Sequence, residues 1–123
     1  MRLTWIGLLF GLTAMALPGA AFADDYGALA AGISGGHVGV AFAKERPNQS
    51  AADAGALKEC EKITNNCQVV GRFYNGGCGF IASTASGGTC WGSGDSPAVA
   101  ASECKARGCG ACQTPIGGCT NPP

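Results

Sequence analysis

The side chains able to do chemistry are few, and their spacing narrows what that chemistry can be. His37 is the only histidine, so any Ser–His–acid or Cys–His arrangement would have to use it. It follows the glycine turn Ser34-Gly35-Gly36, on the strand face opposite Val38 and Val40, and reads as a surface residue. No serine sits in a recognisable nucleophile motif, and one histidine argues against a histidine-rich zinc site. Cys109-Gly-Ala-Cys112 has the spacing of a redox pair or of half a metal site. A thioredoxin-like motif follows a strand and opens a helix, whereas this one comes after a helix that ends at Gly108. The remaining six cysteines stand at least seven residues apart, so zinc would lack a second close pair. Paired carboxylates can hydrolyse glycosidic bonds. Of the acids here (Asp24, Asp25, Glu45, Asp53, Glu59, Glu61, Asp95 and Glu103), most fall on expected helix surfaces, near caps or at the start of the mature chain, where solvation accounts for them. The Ser-Gly-Gly turns join strands and lack the helix and lysine of a phosphate-cradling loop. No catalytic residue, cofactor site or metal site is expected.

A binding surface is easier to assemble. Arg72 and Tyr74 alternate with Val69 and Phe73 along the segment Cys67–Tyr74, with Val70 sharing the Arg72 face. If Val69 and Phe73 face the helices, Arg72 and Tyr74 become an exposed arginine–aromatic pair, a composition favoured at interface hot spots. Trp91 either joins them or fills a core short of large side chains. Arg72, Tyr74 and Trp91 are the candidate partner-binding surface.

The elements that must position these residues begin after a leader. Met1–Ala23 has Arg2 as a positive start, an uncharged and mostly apolar run from Leu3 to Leu17, a Pro18-Gly19 break, and Ala21-Phe22-Ala23 as a cleavage pattern. The run is shorter than the roughly 20 residues that span a bilayer. Residues 1–23 are therefore expected to be a cleaved secretory signal peptide, and residues 24–123 a single domain with no membrane span. Eight Lys and Arg balance eight Asp and Glu, so no concentrated basic footprint points to nucleic acid.

All eight cysteines (Cys60, Cys67, Cys78, Cys90, Cys104, Cys109, Cys112 and Cys119) follow the leader. An even number in an exported chain implies an oxidised framework. Small domains with few large apolar residues lean on such cross-links.

One pattern runs twice along the chain. Tyr26-Gly-Ala-Leu-Ala30, the turn at Ser34–Gly36 and His37–Phe42 correspond to Cys78-Gly-Phe-Ile-Ala82, a turn at Ser86-Gly87-Gly88 and Thr89–Gly92. A helix follows each time. The first is expected to open on a Ser50–Asp53 capping box, with Asn48-Gln49-Ser50 serving the cap rather than a glycan, and to bury Ala54, Leu57, Cys60 and Ile63. The second opens on Ser96 and Pro97 and closes at Gly108. Cys67–Tyr74 and the weaker Cys109–Ile116 supply the last strands. The fold class is α+β: two degenerate strand-strand-helix-strand repeats, with two helices packed on a mostly antiparallel sheet and disulfide staples. The repeat suggests the pairs Cys60–Cys67, Cys104–Cys112, Cys78–Cys119 and Cys90–Cys109, although Cys109 and Cys112 are interchangeable at this level.

In order and spacing, these pieces resemble a bacterial exported family known as domain of unknown function 4189. The likeness rests on Tyr26-Gly-Ala-Leu-Ala30, the helix end Ala56-Leu57-Lys-Glu-Cys60, Cys67-Gln-Val-Val70, Cys78-Gly-Phe-Ile-Ala82, and the second helix with its cysteine. It covers Tyr26 to Cys119. The sequence departs from the pattern in lacking Ala-Leu before Cys104 and in its extra Cys90 and Cys109, which bears on the second-repeat bridges more than on the fold. The resemblance implies an exported α+β module and brings no activity or catalytic residues.

The reading that follows is a periplasmic or secreted, non-enzymatic domain that binds an envelope or extracellular protein or ligand. Enzyme inhibition would be one form of it. A small exported hydrolase, or a thiol–disulfide oxidoreductase using Cys109 and Cys112, is the alternative from another class; a structural envelope component is a third.

Overall fold

The computed structural model describes residues 24–85 and 88–123, so the leader and the centre of the second turn lie outside the described residues. The first repeat consists of β1 (Tyr26–Ser34), β2 (His37–Arg46), α1 (Gln49–Glu61) and β3 (Gln68–Tyr74). The second consists of β4 (Cys78–Ser83), β5 (Trp91–Gly94), α2 (Pro97–Ala106) and β6 (Ile116–Cys119). The antiparallel strands divide into two three-stranded sheets, one per repeat, in the orders β2-β1-β3 and β5-β4-β6. Each repeat thus opens with the strand that becomes the centre of its sheet.

The β1–β2 turn is carried by Gly35 and Gly36, both left-handed at φ 60° and 74°, the geometry of a two-residue hairpin. Helix α1 starts earlier than the capping-box reading. Asn48, not Ser50, is the N-cap, its Oδ1 accepting from the Ala51 N–H at 2.8 Å. Of the expected stripe, Cys60 is fully buried and Leu57 packs against the core, but Ala52 and Ala56 are buried in place of the exposed Ala54, and Ile63 lies beyond the helix and is 52% exposed. Helix α2 has the expected Ser96 cap and Pro97 start, with Gly108 left-handed after its end. The last strand forms at Ile116–Cys119 rather than across Cys109–Ile116.

The layers follow from the period of the strands. In the first sheet, Ala28, Ala30, Ala41 and Ala43 meet Ala52, Ala56 and Cys60 of α1 in a core made largely of alanine. The opposite face presents Leu29, Ala31, Val40, Phe42, Val70 and Phe73 to Ile81 and Trp91 of the second sheet. Helix α2 covers the far side of that sheet. It lies so close that a Cβ on Gly92 would strike the backbone of Glu103 and Cys104, and one on Gly94 would strike Val99. Small residues therefore set both helix–sheet distances, and the larger apolar side chains collect between the sheets.

Four disulfides tie the layers: Cys60–Cys67, Cys78–Cys119, Cys90–Cys109 and Cys104–Cys112. Two of them fasten a helix end to the segment that follows, through the fully buried Cys60 and Cys104. Cys78 and Cys119 sit opposite each other on β4 and β6, so that bridge closes the sheet of the second repeat.

Candidate functional site

Strand β3 does not present its side chains as simple alternation predicts. Its pairing with β1 shifts register between Leu29 and Ala30, opposite Gly71 and Val69. Such a bulge turns the residues on its two sides relative to one another. Val69 consequently packs with the α1 core, and Val70 packs with Phe73 between the sheets. Arg72 and Tyr74 lie on the α1 side, the reverse of the arrangement expected from the sequence.

On that side Arg72 is not free. Its Nε donates to Asp53 Oδ1 at 3.1 Å and its Nη2 to Asp53 Oδ2 at 2.9 Å, spanning from β3 to α1. Gln49 adds a second donor, its Nε2 reaching Asp53 Oδ1 at 3.0 Å and the Gly27 carbonyl at 3.1 Å. Hydrogen bonding from Arg72 holds the Asp53 carboxyl below its ordinary range, and the same contact raises Arg72. A Ser50–Asp53 capping box would put Asp53 at the helix cap. Its role as the arginine's partner depends on the helix starting at Gln49 and on the bulge, neither of which the pattern announces.

Tyr74 is 57% exposed, yet its ring is stacked on Tyr26, with centroids 6.0 Å apart and planes 26° from parallel. The pairing of Tyr26 with Tyr74 across β1 and β3 makes this contact. The Tyr26 hydroxyl donates to Asp24 Oδ2 at 3.0 Å, which pushes that phenol's pKa up. Tyr26 was missed as a site residue; an aromatic at each end of an antiparallel pair was the available signal.

Trp91 is elsewhere. It packs against the cluster between the sheets, across β3 from Arg72 and Tyr74, with the Arg107 guanidinium 5.1 Å from its ring centroid. Arg72 and Tyr74 form one surface, and Trp91 borders a different cleft. His37 is exposed at the start of β2. Cys109 and Cys112 are bonded outside their motif, to Cys90 and Cys104, so the C-x-x-C sulfurs are not a dithiol pair. Among the described residues, no helix is long and apolar enough to cross a membrane.

No curated protein and no solved structure matches the chain. A family model does, over residues 26–119, which takes in both repeats and all four bridges. The chain therefore belongs to the family described as Domain of unknown function (DUF4189).

Proposed function

We propose that the protein is an exported, periplasmic or secreted binding domain with no catalytic site, and that it contacts its partner through the surface around Tyr74. The observation that carries this reading is an exposed aromatic ring that is already held in place. Tyr74 is 57% exposed and stacked on Tyr26, and Arg72 beside it is fixed by hydrogen bonds from its Nε and Nη2 to the Asp53 carboxylate. Side chains immobilised before contact lose less entropy on binding, and tyrosine and arginine are the residue types that anchor interfaces. Export is supported by four disulfides in a chain of this size, since such bridges persist in oxidising compartments. A thiol oxidoreductase is disfavoured because Cys109 and Cys112 are each engaged with a different partner.

The test is affinity capture with the oxidised protein from envelope and culture fractions, read by mass spectrometry. A single saturable partner that is lost with Tyr74→Ala supports the surface. Equal recovery by wild type and variant, or background alone from both, rejects it. The mass of the native protein tests export separately: a chain beginning at Asp24 is expected.

A further inference from the structure

The two hairpins of the repeat differ in length. Strands β1 and β2 have 9 and 10 residues, whereas β4 and β5 have 6 and 4. The inner face of the first sheet consequently runs past the second sheet and leaves a step. On the β3 side this step is an open cleft of about 290 Å³. Ala31, Ile33 and Val70 form its apolar floor, Trp91 stands as its wall, and Asn66 and Gln68 supply its polar rim. Ile33 is 43% exposed, so apolar surface is present at the opening.

The lining specifies a ligand chemistry. Among the described residues, no ionisable side chain lines the cleft, so nothing there repays the dehydration of a charged ligand. The carboxamides of Asn66 and Gln68 can meet hydroxyl groups, which both donate and accept. Asn66 Nδ2 already donates to the Ile33 carbonyl at 3.3 Å, an attachment that steadies its oxygen as an acceptor. The indole has an electron-rich face, suited to weakly positive C–H groups, and the contact with Arg107 anchors the ring. A volume of about 290 Å³ lies at the lower limit of ligand pockets, roughly 300–1,000 Å³, which is room for one ring. We infer that this cleft binds a neutral pyranose sugar, C–H face against Trp91 and Val70 and hydroxyls toward Asn66 and Gln68. The inference rests on the cleft's lining and on neither the Tyr74 surface nor export.

The experiment is a titration of the oxidised, isotope-labelled full chain with glucose and with N-acetylglucosamine, followed by ¹H–¹⁵N correlation spectra. Trp91→Phe identifies which indole signal belongs to Trp91. Saturable shifts of that indole N–H and of the Asn66 and Gln68 side-chain amides are expected with at least one sugar. Trp91→Ala should weaken binding roughly threefold to tenfold, as loss of an aromatic contact does. Because Trp91 also packs in the core, Gln68→Ala, which changes an exposed side chain, is the second variant. It should weaken binding roughly threefold to tenfold, the span of one net hydrogen bond. Tyr74→Ala should leave the titration unchanged, which separates this cleft from the capture surface. The inference is overturned if the Trp91 signal stays still or drifts without saturating. It is equally overturned if Gln68→Ala binds as wild type does, or if only a capped apolar tripeptide titrates the cleft.

Discussion

Arg72 on β3 and Asp53 on α1 form a two-point ion pair, with N–O distances of 3.1 and 2.9 Å, that pins the start of the helix to an edge strand. The Arg72 side chain is about half exposed and that of Asp53 about a quarter, so its weight in stability is modest. Its signature is a pH dependence. The Asp53 carboxyl is held low in the folded protein and titrates at about 3.9 when unfolded. The stabilisation is therefore complete above the unfolded value and disappears as pH falls through the folded one. Arg72→Ala should be less stable than wild type at neutral pH, and the two should converge in acid. Urea midpoints across pH, with a carbon-detected titration of Asp53, check this. An Asp53 that titrates in the ordinary range in wild type contradicts it.

The bridges should rank by the loop that each closes. Cys78–Cys119 spans a separation of 41 residues, against 7 for Cys60–Cys67 and 8 for Cys104–Cys112. In the chain-entropy account, removal costs about 4 kcal/mol for the long loop and about 2.5 kcal/mol for either short one. Paired Cys→Ser variants unfolded in urea measure the order. A short-loop variant that proves the least stable would show that packing at the buried Cys60 or Cys104 outweighs loop closure.

Gly92→Ala tests how closely α2 approaches its sheet. The added methyl meets the backbone of Glu103 and Cys104 rather than a side chain that can turn away. A loss of roughly 2–3 kcal/mol is expected from overpacking. Thermal or urea unfolding at the cost of a surface substitution would mean that the helix simply moves outward.

The helix caps give a paired comparison. Asn48→Ala removes the 2.8 Å bond to the Ala51 N–H and should cost about 1 kcal/mol. Ser50→Ala, within the helix, should cost roughly 0.5 kcal/mol or less. The reverse order would restore the capping box as the true start.

Much of this architecture was legible because its signals are local. Glycine turns, Ser96-Pro97 and the spacing of cysteines around each helix are written in consecutive residues, and the repetition doubled them. What escaped depends on contacts between distant segments. Asn48 and Ser50 are both good caps, and nothing nearby chooses between them; nor does a helix rich in alanine say which of Ala52, Ala54 and Ala56 will face the sheet. The bulge opposite Gly71 is a property of the β1–β3 pairing, and it alone turned Arg72 and Tyr74 toward α1 and away from Trp91. Alanine was the other obscured signal. A reading that counted large side chains looked past Ala28, Ala30, Ala41 and Ala43, whose value lies in the close approach they permit rather than in the area they bury. The division into two sheets was hidden for the same reason, since residues on both faces of β1 and β2 are small or apolar.

The position of β4 in the middle of its sheet has a consequence during synthesis. Its first partner, β5, emerges soon afterwards, but β6 lies beyond α2, and Cys119 follows Cys78 by 41 residues. Until β6 has emerged, one flank of β4 has no neighbour and Cys78 has no mate. A chain paused or cut short before Cys119 would carry both a sticky backbone edge and a reactive thiol. Arrival of β6 is thus the event that makes this molecule safe in company.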